Sequence, residues 1–75
     1  MSKLPRDLPP EDVIAALKRI GLYVRRTKGS YVIMQRDEPF AWTIIPIQDK
    51  IPVGLLRQIL ADVGLSVEEF IKLLR

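Results

Sequence analysis

The sequence predicts an α+β fold in which a three-stranded antiparallel sheet has helices on one face. Hydrophobic residues first recur at helical spacing, then lie in runs rich in β-branched and aromatic residues, and finally return to helical spacing. Gly21, Pro52 and Gly64 stand where these patterns change or stop. The predicted order is helix, three strands, helix and short helix, with the second face of the sheet open to solvent.

The first helix is predicted from about Pro10 to Ile20. Proline suits the first turn of a helix, and the acids Glu11 and Asp12 suit the positive end of its dipole. Gly21 then supplies the left-handed residue that commonly ends a helix. The apolar positions expected on one face are Val13, Ile14, Leu17 and Ile20.

Three strands are predicted in the middle of the chain. They are "LYVRRT" (22–27), "SYVIMQR" (30–36) and "AWTIIPI" (41–47). We expect Lys28 and Gly29 to form the short hairpin turn between the first two strands, and "DEPF" (37–40) to form the next turn. Pro46 ends the third strand or confines it to an edge of the sheet.

Periodicity alone leaves open which face of the sheet the helices cover. Alternate side chains of the second strand point to opposite sides: Val32, Met34 and Arg36 to one, and Tyr31, Ile33 and Gln35 to the other. Both sets contain an apolar residue, so neither is clearly the inner one. On the third strand we expect Trp42 in the core rather than as an exposed stacking surface.

Two helices are predicted after the loop "QDKIP" (48–52). Pro52 opens the second helix and Gly64 ends it. Ser66 and Glu69 then form a capping box, in which each side chain bonds to the backbone of the other, at the start of a short third helix. The apolar positions of these two helices are Leu55, Leu56, Ile59, Leu60, Val63, Phe70, Ile71 and Leu74.

Length and composition indicate one globular domain over residues 1–75. Hydrophobic residues make up 48% of the chain, too many for a disordered tail. The absence of cysteine excludes disulfides and thiolate metal sites, and histidine is absent as well. Residues 1–8 are expected to be an extended lead-in without the apolar segment of a signal peptide, and no apolar run is long enough for a membrane span. We therefore expect a cytoplasmic protein that does not associate with membranes.

Basic residues are concentrated in one part of the chain, although the formal net charge is only +3. An interval without Asp or Glu contains Lys18, Arg19, Arg25, Arg26, Lys28 and Arg36. Such a block is either a solvated face or a surface for a polyanion, most simply nucleic acid. The sequence leaves both interpretations open.

Two long stretches share a pattern with a known family: "KLPRDLPPEDVIAALKRIGLYVRRTKGSYVIMQR" (3–36) and "IIPIQDKIPVGLLRQILADVGLSVEEFIKLL" (44–74). Both resemble the HicA-type toxins, the mRNA interferases of HicA–HicB toxin–antitoxin pairs. The shared pattern is a Leu-Pro opening, Gly-Ser after a basic hairpin, a proline in the third strand and Gly-Leu-Ser before the last helix. The resemblance implies a fold like that of a double-stranded-RNA-binding domain, in agreement with the predicted α-β-β-β-α order and its extra helix.

The same resemblance implies a toxin that cleaves mRNA without a metal and that a HicB-type antitoxin silences. The chain would then be a monomer alone or a hetero-oligomer with the antitoxin. The catalytic histidine of the family directly follows Gly-Ser, where this chain has Tyr31 after Gly29 and Ser30. A second histidine often follows the third-strand proline, where this chain reads "PIQ" (46–48). Tyr31 therefore occupies the position of the catalytic residue.

The missing histidine bears on catalysis more than on binding. Metal-free RNA cleavage needs a group that accepts the 2′-hydroxyl proton and a group that protonates the leaving oxygen, and histidine can do either near neutral pH. A phenol ordinarily titrates at about 10, so it is a poor base at pH 7 but can still donate a proton. Two hypotheses stay open: an mRNA endoribonuclease with Tyr31 in place of histidine, and a catalytically impaired RNA-binding or antitoxin-binding module. An engineered change at Tyr31 is a third, disfavoured because the second histidine position differs as well.

The residues expected to contact RNA surround the hairpin. They are Arg25, Arg26, Lys28, Gly29, Ser30 and Tyr31. The cations can contact phosphates, and Tyr31 can stack on a base or bond a phosphate, the alternative being an ordinary sheet tyrosine. Ser30 has no histidine to activate it as a nucleophile. The adjacent acid pairs are explained by a turn and a capping box, so no metal or other cofactor is expected.

Overall fold

The computed structural model describes residues 3–74 and confirms the predicted α+β order. The elements are α1 (Pro10–Lys18), β1 (Tyr23–Lys28), β2 (Tyr31–Asp37), β3 (Phe40–Pro46), α2 (Val53–Val63) and α3 (Val67–Leu73). The strands form an antiparallel sheet in the order β1-β2-β3, so β2 is central and the other two are edges. In the part of the chain described, no helix is long and apolar enough to cross a bilayer.

Packing settles which face of the sheet is covered. Val32 and Met34 of β2 are buried, whereas Tyr31 is exposed. The side of β2 that carries Val32 and Met34 is therefore the inner one, against the helices. The core that these residues join draws side chains from β3 and all three helices, including Val13, Leu17, Ile45, Leu56, Ile59 and Phe70.

Gly21 ends α1 as predicted, although the regular helix stops at Lys18. The Gly21 amide donates to the Lys18 carbonyl (3.1 Å), and the Leu22 amide donates to the Leu17 carbonyl (3.2 Å). These are the paired bonds of a Schellman motif. Gly21 has a φ of 95°, which glycine adopts without steric cost. The predicted end at Ile20 includes this closing turn, a difference that helix definitions commonly produce.

The predicted boundaries of the two C-terminal helices are confirmed. Pro52 precedes α2, and Gly64 closes it with a φ of 75°. The Glu69 amide donates to Ser66 Oγ (3.1 Å), and the Ser66 amide donates to Glu69 Oε1 (2.9 Å). These reciprocal bonds are the predicted capping box. They fix the start of α3, which buries Phe70 in the core.

The hairpin turn between β1 and β2 consists of Gly29 and Ser30, so the prediction of Lys28-Gly29 was wrong by one residue. Lys28 and Tyr31 face each other as the last pair of the ladder, which leaves two residues for the turn. Gly29 has a φ of 57° at the first turn position, as a type II′ hairpin turn requires. Lys28 consequently belongs to β1 and shares a face with Tyr31.

Trp42 is 48% exposed on the solvent side of the sheet, so the expectation that it lies in the core was wrong. It pairs with Gln35 of β2, and paired residues share a face. The buried residues of β3 are instead Ala41, Thr43 and Ile45. The hydrophobic pattern of β3 could not show which of its faces is buried, because both faces carry apolar residues.

Candidate nucleic-acid interface

The solvent side of the sheet, which we call the open face, combines aromatic, apolar and basic side chains. Strand by strand, its residues are Tyr23, Arg25, Arg26 and Lys28; Tyr31, Ile33, Gln35 and Asp37; and Phe40, Trp42, Ile44 and Pro46. Alternation along the strands and pairing across them place these side chains together. The helices described above pack on the opposite side.

The cations predicted to bind phosphate lie together along one edge of the open face. Every residue of β1 is exposed, and Arg26 and Lys28 pair with outward-facing residues of β2. Arg25 is the extra residue of a β-bulge, which re-aims a side chain relative to regular alternation. Its guanidinium bonds to Gln35 on the open face. We call Arg25, Arg26 and Lys28 the basic edge.

A chain of hydrogen bonds crosses the open face from Arg25 to Tyr23. Arg25 Nη1 donates to Gln35 Oε1 (2.8 Å), and Gln35 Nε2 donates to Asp37 Oδ1 (2.8 Å). The Tyr23 hydroxyl lies 3.1 and 3.3 Å from the two carboxylate oxygens of Asp37. Desolvation and then the bond to Asp37 raise the pKa of Tyr23, so its phenol stays a donor at neutral pH. The network holds the Arg25 side chain over the sheet while using one of the five guanidinium N–H groups.

Tyr31 stands at the hairpin end of the open face and is 53% exposed. It pairs with Pro46 of β3. Beyond that pair, the Ile47 amide donates to the Ser30 carbonyl (2.6 Å), which extends the contact between the hairpin and the end of β3. The two positions at which the HicA resemblance expects histidine, Tyr31 and the segment 46–48, therefore lie side by side.

The turn residues Gly29 and Ser30 and the nearby Gln48 lie at the hairpin end of the sheet. Gly29 and Ser30 are exposed, and a Cβ at Gly29 would meet nothing within 4 Å, so its positive φ is the feature that favours glycine. Gln48 Nε2 donates to the Lys50 carbonyl (2.8 Å), so this side chain folds onto its own loop.

The arginines at the two ends of the basic block bind backbone carbonyls rather than the open face. Arg36 Nε donates to the Pro39 carbonyl (2.8 Å), and its Nη1 donates to the Ile20 carbonyl after α1 (3.0 Å). Arg19 Nη1 donates to the Leu73 carbonyl of α3 (3.0 Å). The structure thus separates the basic edge from Arg19 and Arg36, which help to hold the helices and turns, and from Lys18, which is exposed at the end of α1.

Sequence reasoning missed Phe40 and Trp42 as candidate site residues. Phe40 is 64% exposed and Trp42 is 48% exposed. With Arg25, both line a shallow hollow of about 280 Å³ on the open face. Strand register was the missing signal, because the pairing of Gln35 with Trp42 places the indole on the same side as Arg25.

The open face is suited to binding a polyanion and poorly equipped for acid–base chemistry. The chain has no histidine. Residues 3–74 contain no group of three or more His, Cys, Asp or Glu side chains that could hold a metal ion. Asp37, the carboxylate of the open face, lies six residues along β2 from Tyr31, which is about 20 Å in a strand.

Comparison with known proteins identifies the family. A family model described as "HicA toxin of bacterial toxin-antitoxin" matches residues 10–65. A search of curated proteins finds no match. The matched span runs from the first residue of α1 to the residue after the Gly64 stop of α2, and it includes the whole sheet. The chain therefore belongs to the HicA toxin family, whose members act within toxin–antitoxin systems and have an antitoxin as their partner.

Proposed function

We propose that this chain is the toxin component of a type II toxin–antitoxin system and that it binds mRNA through its open face. The basic edge supports the proposal most directly, because Lys28 pairs with the exposed Tyr31, and Arg26 and Arg25 precede Lys28 along the exposed strand β1. Grouped cations attract a phosphate backbone, and each contact adds salt-dependent affinity. Asp37, the acidic residue of this face, already accepts hydrogen bonds from two neighbouring side chains.

Residues 1–75 would form one HicA-like domain under this proposal. α3 lies beyond the family match, yet its Phe70 is fully buried in the same core as residues of α1 and α2. Gly29 and Ser30 belong to the proposed RNA contact because they form the exposed turn between Lys28 and Tyr31.

The proposed reaction is metal-independent cleavage of mRNA centred on Tyr31. The 2′-hydroxyl oxygen of the RNA attacks the adjacent phosphorus while its proton passes to water, and the bond from phosphorus to the 5′-oxygen breaks. The basic edge holds the phosphate, and the Tyr31 phenol either gives its proton to the leaving 5′-oxygen or hydrogen-bonds the phosphate while water protonates that oxygen. Water is a weaker base than histidine, and Asp37, the carboxylate of the open face, is about 20 Å away along the strand. A missing acid–base group typically costs a factor of about 10²–10⁴ in rate, so we expect slow cleavage.

A second candidate function follows from the same observation. Without any histidine in the chain, the open face would still bind RNA but would no longer cleave it. The protein would then be a catalytically impaired RNA-binding or antitoxin-binding module on the HicA fold. Incubation of the purified chain with labelled mRNA and a chelator separates the two: cleavage supports the nuclease, and intact RNA supports the module.

RNA binding itself is tested by a salt titration of a triple variant, Arg25→Ala with Arg26→Ala and Lys28→Ala. The three substitutions should weaken binding and reduce the slope of log affinity against log salt by about 2, at about 0.7 per single-stranded phosphate contact. The control removes the same charge elsewhere, at the exposed Lys18, Arg57 and Lys72. An unchanged slope in the first variant, or equal losses in both, would contradict the proposal.

A further inference from the structure

We infer that the open face binds single-stranded RNA by stacking unpaired bases on Trp42 and Phe40 beside the guanidinium of Arg25. The inference rests on the proposed function and specifies its substrate class. A fold like a double-stranded-RNA-binding domain would by analogy suggest double-stranded RNA as the ligand. The side chains of the open face favour single-stranded RNA instead.

The first support is the exposure of aromatic rings on one side of the sheet. Phe40 and Trp42 are 64% and 48% exposed, and Tyr31 and Tyr23 share their face. Phe40 and Trp42 are two residues apart on an edge strand, so their side chains leave the sheet about 7 Å from each other. Exposed rings at this spacing, next to cations, form the type of platform on which successive bases stack.

The second support is the hollow that joins the aromatics to the basic edge. It is lined by Arg25, Ile33, Gln35, Phe40 and Trp42. Gln35 holds the Arg25 side chain in place through a 2.8 Å bond, so a planar cation lies beside planar rings. At about 280 Å³ the hollow is smaller than the usual pocket for a drug-sized ligand, and it suits a flat group laid on a surface.

Charge favours RNA over a protein as the occupant. Arg26 and Lys28 continue the line of Arg25 along β1 and are level with Ile44 and Pro46 of β3, so these cations extend from the hollow toward the hairpin. A nucleotide strand whose bases stack on Trp42 and Phe40 would run its phosphates from Arg25 along these two cations. A duplex keeps its bases stacked inside and presents backbone and grooves, so its bases cannot reach Trp42.

Tryptophan fluorescence measures stacking on Trp42 directly, because Trp42 is the single tryptophan of the chain. We would titrate the full chain with unstructured oligouridine of about 12 nucleotides and with a duplex of about 16 base pairs, following tryptophan fluorescence. Saturable quenching by the single strand and none by the duplex is the expected result. Binding of labelled oligouridine, measured by anisotropy, should weaken about 5- to 150-fold in Trp42→Ala and in Phe40→Ala, the range given by about 1–3 kcal/mol of stacking per base.

Trp42→Phe is the matched control, since it keeps an aromatic ring and should bind within about threefold of the parent. Both positions are exposed, and thermal unfolding verifies that the variants fold. Oligouridine binding without quenching, with unchanged affinity in Trp42→Ala, would overturn the inference and leave the proposed function standing. The absence of binding to any RNA would overturn both. Quenching by the antitoxin but by no RNA would show a protein-docking face and would also overturn the inference.

Discussion

At the scale of single residues, Tyr31 is the position on which the proposed chemistry depends. The backbone around it is an ordinary two-residue hairpin turn, with Gly29 at a positive φ and Lys28 paired with Tyr31. The side chain is 53% exposed beside the basic edge. A group that exchanges protons near pH 7 at this position would stand at the same end of the proposed phosphate-binding edge. In our proposal, the side chain at position 31 therefore separates a nuclease from a binding module.

We predict that Tyr31→His creates or strongly raises cleavage of mRNA, by a factor of about 10²–10⁴. The imidazole would supply the proton acceptor that the open face lacks, and an exposed strand position tolerates the smaller ring. The measurement compares labelled mRNA incubated with both proteins, purified identically and with a chelator present. The new activity should fall when the pH drops well below about 6.5, where histidine is fully protonated.

The comparison with the parent decides the outcome for Tyr31. A parent that already cleaves as fast as Tyr31→His would show that the phenol suffices. If neither protein cleaves, a second histidine is required, with Gln48 as the next position to change, or the chain is a binding module. Tyr31→Phe serves as the control that removes the hydroxyl and keeps the ring.

Gly21 is the residue at which we predict the largest backbone effect. Gly21→Ala should destabilise the fold by about 1–2 kcal/mol, because its φ of 95° is unfavourable for a residue with a Cβ. The added Cβ would also lie 3.3 Å from Cδ of Arg36, whose guanidinium is held by bonds to the Pro39 and Ile20 carbonyls, so moving this side chain would add to the loss. Urea denaturation measures the change. Gly54→Ala, in helix α2 with no atom within 4 Å of the added Cβ, should be neutral or stabilising, and an equal loss in both variants would refute the backbone explanation.

At the scale of elements, short-range signals account for the ends of the helices. Gly21 and Gly64 close α1 and α2 with left-handed residues, and Ser66 and Glu69 cap α3. The capping box lies just beyond the family match, so α3 is defined by its own local chemistry and by the burial of Phe70. These signals could be predicted because donor and acceptor are only a few residues apart in the chain.

The capping box predicts a specific dependence of stability on pH. Hydrogen bonds from the backbone and side chain of Ser66 lower the pKa of Glu69. A carboxylate with a lowered pKa stabilises the fold above its unfolded pKa of about 4.3, and this contribution is lost as the pH falls through the lower folded value. The free energy of unfolding of the parent should therefore fall more steeply below about pH 4.3 than that of Glu69→Gln.

Urea unfolding between acidic and neutral pH measures this difference. Glu68→Gln removes the same charge from the neighbouring residue, which is not part of the capping box, and should keep the pH dependence of the parent. Ser66→Ala should cost about 1 kcal/mol at neutral pH, as the loss of a helix N-cap usually does. Identical pH dependence in the parent and in Glu69→Gln would contradict the role of the capping box.

At the scale of the whole molecule, the covered face supplies stability and the open face remains available for partners. The family implies an antitoxin as one partner. We predict that the antitoxin covers the open face with an acidic surface, because complementary charge steers association. The basic-edge triple variant should then associate more slowly, with a weaker dependence on salt, whereas the Lys18, Arg57 and Lys72 control should not.

Competition between the antitoxin and RNA gives a second test of this prediction. An antitoxin that covers the open face should displace bound RNA when it is added to the complex. Stopped-flow association and RNA displacement measure the two effects. A stable complex of toxin, antitoxin and RNA, or equal association rates for both triple variants, would place the antitoxin on another surface.

The element order, the helix stops, the capping box and the family resemblance could all be predicted from the amino-acid sequence. Each of these depends on residue types at short spacing, or on a pattern along the chain. Three features became visible in the folded chain alone: Val32 and Met34 face inward, Arg36 binds the Ile20 carbonyl, and Trp42 is exposed. Both faces of β2 and β3 carry apolar residues, so strand register and helix packing choose between them, and a register shift of one residue would exchange the faces.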